Sequence, residues 1–323
     1  MTHDVYGDIL SPWLPQVILD CHVHIGLPEH TGQITPGRAK EMWAMEVANS
    51  FSWEQMREAF DLLFPHRKVE ALAFGWVYRE TDIAGNNDYV LSGIGDGIRG
   101  LAVTKPDWTA ADVEGLLDRG FIGIKPYPDL AGGGEVSIFD YLPHSHLEVL
   151  DDRSGVLMLH LPRKGRLADE DNVRELLEIN DRYPSIRLIV AHIGRAYCLP
   201  TAEKGLPHFA DRPNIYFDTA ANLNPDVFAL ALETVGPDRI LYGSDLPITL
   251  MKGVREHVGD RYINYTDGPY SWNTNRKGPD EEAAYTYYLY EELLAIKNAI
   301  ERAGLGPDAV QKIMYGNCAR ILG

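Results

Sequence analysis

The sequence predicts an α/β protein: a closed ring of eight parallel strands, each followed by a helix, in the manner of a (β/α)8 TIM barrel. Three observations predict it. Eight short runs of β-branched and apolar residues recur along the chain. Several are near-continuously hydrophobic, as parallel strands covered on both faces must be. Helical patterns separate most of them, and eight such units in roughly 250 residues fit a closed barrel.

The first strand is read at 17–24 (VILDCHVH), and a long insertion with helical pieces at 37–49 and 53–64 follows it over 26–68. Strands two and three are 71–78 (ALAFGWVY) and 99–104 (RGLAVT). A helix over 109–119 opens on a capping Thr109 and stops before Gly120. Strand four is 121–127 (FIGIKPY) and strand five 156–161 (VLMLHL). The helix at 169–183 repeats apolar residues at Val173, Leu176, Leu177 and the neighbourhood of 180, and Pro184 ends it. Strands six and seven are 187–193 (RLIVAHI) and 215–219 (IYFDT). A helix over 224–234 begins Asn224-Pro225, a cap followed by proline at the first helical position. Strand eight is 239–245 (RILYGSD). A second irregular stretch, 249–280, is rich in Gly, Asn, Tyr and Pro, and two helices, about 280–302 and 307–322, close the chain. Both long segments leave from the C-terminal rim of the barrel, where substrates bind. The whole of 1–323 is read as one domain, with 26–68 and 249–280 as rim elements.

Composition excludes several function classes. No run approaches the ~20 apolar residues that span a bilayer, and the N-terminus (MTHDVYGDIL) has neither a basic nor an apolar leader region. Cys21, Cys198 and Cys318 are too few and too scattered for a disulfide framework, so a cytoplasmic setting is expected. A net charge of −17 argues against binding nucleic acid. The expected partner is a small-molecule substrate, and a homo-oligomer is expected for a barrel of this size.

The chemistry collects at the strand ends. His22-x-His24 closes strand one, Lys125 strand four, His160 strand five, His192 strand six and Asp245 strand eight. Residues i and i+2 of a strand point to one face, so both imidazoles of the first pair reach one ion in the barrel mouth. Histidine and carboxylate ligands arriving from different strands suit zinc or a similar borderline metal. Each residue also has a plain structural reading: a satisfied polar group, a helix cap, a rim salt bridge. Five such coincidences on one rim argue against it. His144-Ser-His146 is a second H-x-H, but it follows Pro143 at a helix start. There i and i+2 lie roughly 200° apart, so this pair is read as surface. His3, His30, His66, His208 and His257 have no strand-end context and are excluded.

The ordered set DCHVH, MLHL, VAHIG and RILYGSDLPI, with KIMYGNCARIL at the C-terminus, resembles the amidohydrolase superfamily, in its amidohydrolase-related branch that also holds non-oxidative decarboxylases. The resemblance runs over nearly the whole chain. It implies that His22, His24, His160 and Asp245 bind one metal, and that His192 orients or polarises the substrate. Lys125 is the open position, because in binuclear members a strand-four lysine is carboxylated and bridges a second ion held with the fifth- and sixth-strand histidines. One ion is expected rather than two, with zinc first and manganese the alternative.

The resulting expectation is a hydrolase in which metal-activated water attacks an amide, lactone or ester carbonyl of a small carboxylate-bearing molecule. Asp245 would move the proton. Arg163 and Arg195, just past strands five and six, either clamp the substrate carboxylate or pair with surface acids, and Tyr127 joins them in binding substrate. The rival enzyme is a decarboxylase of an aromatic or unsaturated acid, for which Trp76, Tyr78, Tyr127 and Trp272 offer an aromatic rim. A catalytically dead binding barrel is the third reading.

Overall fold

The computed structural model describes residues 4–323, so His3 lies outside the described residues. Eight parallel strands form the ring: β1 (Val17–His24), β2 (Lys68–Phe74), β3 (Ile98–Gly100), β4 (Gly123–Ile124), β5 (Val156–Leu159), β6 (Arg187–Val190), β7 (Ile215–Asp218) and β8 (Ile240–Leu241). Ladders run β1-β2-β3 and β4-β5-β6-β7-β8. The two remaining junctions are made by single bridges. Ala102 pairs with Ile124 between β3 and β4, and Val23 pairs with Leu246 between β8 and β1. Backbone N–H groups of Cys21, Asp245 and His24 donate to the carbonyls of Tyr242, His22 and Leu246, which closes the ring.

Most strands are shorter than predicted, because the chain leaves the ladder as it nears the rim and frees its side chains for the mouth. Gly243 shows how tight the last junction is. A Cβ there would stand 2.8 Å from His22 Cβ and 3.1 Å from Cys21 Sγ.

Around the ring lie the insertion helices α1 (Pro36–Glu41), α2 (Ala44–Val47) and α3 (Trp53–Leu63), then α4 (Ile83–Leu91), α5 (Ala110–Asp118), α6 (His144–Asp152), α7 (Glu170–Arg182), α8 (Pro225–Thr234) and α9 (Tyr288–Arg302). Thr109 caps α5, Asp169 caps α7 and Asn224 caps α8, each side chain accepting a backbone N–H of the first turn. A helical run over 307–322 follows, π-wound at Lys312–Gly316. Its Ile321 and Leu322 pack in the smaller of the two main core clusters, with alternate strand residues such as Leu19, Leu72, Met158 and Ile189. The larger cluster fills the layer between ring and helices. No helix of the described residues is long and apolar enough to cross a membrane.

Two expectations are corrected. The stretch 249–280 is not wholly irregular, because it contains an antiparallel hairpin, β9 (Gly253–Val258) and β10 (Arg261–Thr266). Its two-residue Gly259-Asp260 turn, with Gly259 at φ 61°, is the hairpin signal that its glycine-rich surroundings obscured. His146 is fully buried rather than at the surface. It sits on the inward side of α6, where its Nε2 meets the Trp108 carbonyl at 2.8 Å. His144 bonds instead to the Tyr183 hydroxyl, so the pair shares nothing.

Candidate metal centre and active site

The strand ends converge on one cavity of about 310 Å3, lined by His22, His24, Lys125, Tyr127, His160, His192, Arg195 and Asp245. Trp76 and Tyr78 also line it, whereas Trp272 does not. Trp272 stacks on Tyr270 and meets Trp43 edge-on, so it packs the rim loop. Arg163 is also absent from the cavity. Its guanidinium grips Glu175 through both terminal nitrogens, 3.1 and 2.9 Å from the two carboxylate oxygens, and serves the packing of α7. His30, His66, His208 and His257 do not line the cavity.

Within the cavity, Asp245 Oδ1 lies 3.6 Å from His22 Nε2 and 3.5 Å from His24 Nε2. These are the separations of neighbouring ligand atoms around one ion at bond lengths of roughly 2.0–2.2 Å. The opposite ring nitrogens are held from behind. His22 Nδ1 donates to Asp218 Oδ2 (2.9 Å) and His24 Nδ1 to the Gly75 carbonyl (3.3 Å). His192 Nδ1 donates to the Ala220 carbonyl (2.8 Å). Each Nδ1 therefore carries the proton, leaving Nε2 bare toward the cavity, as a ligand or proton acceptor requires.

His160 lines the same cavity, 5.3 Å ring to ring from His192. Its nitrogens fall outside the tight His22–His24–Asp245 cluster, whose donor atoms lie within 4.8 Å of one another. His160 Nδ1 and Lys125 Nζ are buried without a hydrogen-bond partner among the described residues. Orphaned polar atoms beside a ligand cluster are what a missing cation or substrate would engage. The donor set therefore fits a divalent metal.

Electrostatics agree. Burial lowers the pKa values of His22, His160 and His192, keeping the imidazoles neutral, and pulls the Lys125 ammonium down to about 8. Burial would raise Asp245, but the neighbouring His24, His192 and His22 hold it well below the usual carboxylate range.

The backbone is strained at the same place. His192, Ile193, Gly194 and Arg195 all have positive φ, between 48° and 62°, and Asp245 has φ 62°. Left-handed residues other than glycine persist where surrounding structure holds them, and they gather at functional sites.

Asp218 was not singled out in the sequence, although it too is an acid at a strand end. Its Oδ2 accepts from His22 and its Oδ1 from the His192 backbone N–H at 2.6 Å, so one carboxylate orients both histidines.

The amidohydrolase family model matches residues 19–323. The chain belongs to this family. None of the curated proteins matches the amidohydrolase chain. Solved structures that resemble it fold alike at low identity. One is a probable 2-pyrone-4,6-dicarboxylic acid hydrolase from Acinetobacter baumannii with citric acid bound (15% identity, 95% of this chain and 99% of that one, TM-score 0.58). Another is a dihydroxybenzoic acid decarboxylase from a Polaromonas species with bound manganese (15%, 95% and 97%, TM-score 0.57). A third is a 5-carboxyvanillate decarboxylase from Novosphingobium aromaticivorans, also with manganese (12%, 95% and 97%, TM-score 0.59). The amidohydrolase fold thus hosts both hydrolases and decarboxylases, and the site must decide between them.

Proposed function

We propose that this amidohydrolase is a metal-dependent hydrolase acting on an amide, lactone or ester carbonyl of a small carboxylate-bearing molecule. The observation that carries the reading is the convergence of His22 Nε2 and His24 Nε2 on Asp245 Oδ1 inside the cavity. His22, His24 and Asp245 would hold one divalent ion, zinc or manganese, with His160 the adjoining histidine. The other possible grouping, His22 with His192 and Asp218, reuses His22 and has its carboxylate already engaged, which favours one ion over two. The ion, when bound, supplies Lewis acidity that brings the pKa of water toward neutrality.

The chain's own residues do the rest. Asp245, held ionised at the mouth, accepts the proton of the attacking water and returns it to the leaving group. His192 presents a bare Nε2, so it orients a hydroxyl or amide N–H of the substrate rather than polarising a carbonyl. Arg195 lines the cavity with only its Nη1 engaged, on the Leu161 and Pro162 carbonyls, and makes no ion pair among the described residues. It takes the substrate carboxylate, with Tyr127 beside His160 as the neighbouring wall.

One observation favours decarboxylation as the second reading. His24, Trp76 and Tyr78 form a nearly parallel stack (5.2 Å and 10°, then 5.7 Å and 13°), a flat wall suited to a planar acid. The test covers both. Protein stripped and reloaded with zinc or manganese is assayed against lactones, esters, amides and hydroxybenzoates, with CO2 followed in parallel. Metal-dependent hydrolysis without CO2, lost in His22→Ala and Asp245→Ala, is the expected result. Full activity in metal-free protein overturns the proposal, and CO2 release moves the assignment to the decarboxylase.

A further inference from the structure

Acidic residues outnumber basic ones, 47 to 30, and ten of the twenty arginines are ion-paired among the described residues. Arg38, Arg79 and Arg163 each have a carboxylate partner. Two arginines lining the cavity have none among the described residues: Arg195, already assigned to the substrate carboxylate, and Arg255. Arg255 comes from outside the ring, on β9 of the hairpin.

Its guanidinium is held in place on two sides. Nε donates to Oδ1 of Asn264, its cross-strand partner, at 2.8 Å, and Nη1 donates to the Ala221 carbonyl at 2.6 Å. The carbon at its centre lies 4.6 Å from the Tyr262 ring and 5.0 Å from the Tyr197 ring. Tyr197 is in turn 6.3 Å from the His192 ring, so this corner opens on the metal-ligand cluster. Arg166 lies over the same two rings, at 5.5 and 5.4 Å, and also lacks a carboxylate among the described residues. Two cations sharing two phenol rings repel each other unless an anion stands nearby.

We propose that Arg255, with Tyr197 and Tyr262, forms a subsite for a second carboxylate at the end of the substrate remote from the metal ligands, so that the hairpin selects small dicarboxylates. This rests on the carboxylate-substrate reading and deepens it. Joining the two strands explains the Nε bond, and fixing the hairpin to the rim explains the Nη1 bond. It does not explain the Nη2 edge, which makes no hydrogen bond among the described residues, or the doubled cations. A guanidinium fixed in advance and walled by rings binds a carboxylate strongly because little is left to order.

The test is calorimetric titration of manganese-loaded protein with benzoate and with isophthalate. Isophthalate is expected to bind about tenfold more tightly than benzoate. Arg255→Met, whose stem still packs on the tyrosines, is expected to reduce that preference to within twofold and to leave benzoate affinity nearly unchanged. Arg195→Met is expected to weaken both acids. Should circular dichroism show Arg255→Met unfolded, Arg255→Lys decides: a point charge without the fork retains about threefold preference, and an undiminished tenfold one overturns the subsite. Equal affinity of the wild type for the two acids, or parallel weakening of both by Arg255→Met, overturns it too. Because the readout is binding, absent turnover would bear on the hydrolase reading alone. Failure of both acids to bind would remove the carboxylate reading itself.

Discussion

Asp218 illustrates how the site is organised at the scale of single residues. One carboxylate, fully buried at the end of β7, holds the imidazole of His22 through one oxygen and the backbone of His192 through the other. Partners behind a metal ligand fix its tautomer and its aim, and their loss typically costs 10–100-fold in metal affinity. Asp218→Asn is therefore expected to weaken zinc or manganese binding by about that factor, as measured by competition with a chromogenic chelator. Undiminished affinity would mean that the His22–Asp218 bond is incidental to the ion. At this scale much of the centre was legible. His22, His24, His160, His192, Lys125 and Asp245 were found from their strand-end positions, and all line the cavity. The sequence leaves Arg163 open between a substrate clamp and a salt bridge, because it shows that an arginine follows a strand but not that Glu175 stands on the facing helix to receive it; the salt bridge is the outcome.

The elements show where pattern reading fails. Strict alternation along β1 would put His22 on the face opposite Cys21. The ladder register shifts between Asp20 and Val23, which resets the alternation and lets both histidines face the mouth. No sequence pattern announces such a shift. The hairpin was hidden for a different reason, since its short alternating strands are embedded among turn residues and pack on the rim rather than in the core. The insertion after β1 is anchored by charge. Arg38 on α1 is nearly buried and bonds to Glu80 past β2 and to Asp129 past β4. Removing one partner of a buried ion pair strands the others, at a cost of about 3–5 kcal/mol. Arg38→Ala is expected to lower the melting temperature by several degrees, whereas Arg119→Ala, which breaks the exposed pair with Asp88, is expected to leave it unchanged. Equal melting of the two variants would show that the insertion is held by its apolar contacts alone.

For the whole molecule, stability depends on acids kept out of water. Glu292 of α9 is completely buried, accepts bonds from the Thr219 hydroxyl and the Ala221 N–H, and has its pKa raised well above 4.5 by that burial. Its proton is retained in the folded chain and lost in the unfolded one. The stability it contributes is complete below the unfolded value and is lost as pH rises through the raised folded value. Urea denaturation is therefore expected to show stability falling with rising pH above about 4.5. Glu292→Gln is neutral at every pH, with its Oε1 accepting from the Ala221 N–H and its Nε2 donating to the Thr219 hydroxyl oxygen. It is expected to flatten that decline, and an identical slope in the variant would exclude Glu292 as its source.

The junction between β8 and β1 has a consequence for biogenesis. His22 and His24 are synthesised more than two hundred residues before Asp245. The strands carrying them meet only when the ring shuts, with Asp20 Oδ1 accepting the backbone N–H groups of both His22 and Ser244. A nascent chain that has not yet delivered β8 holds the two imidazoles without the carboxylate on which they converge. If His22, His24 and Asp245 together hold the proposed ion, its loading would follow ring closure rather than precede it.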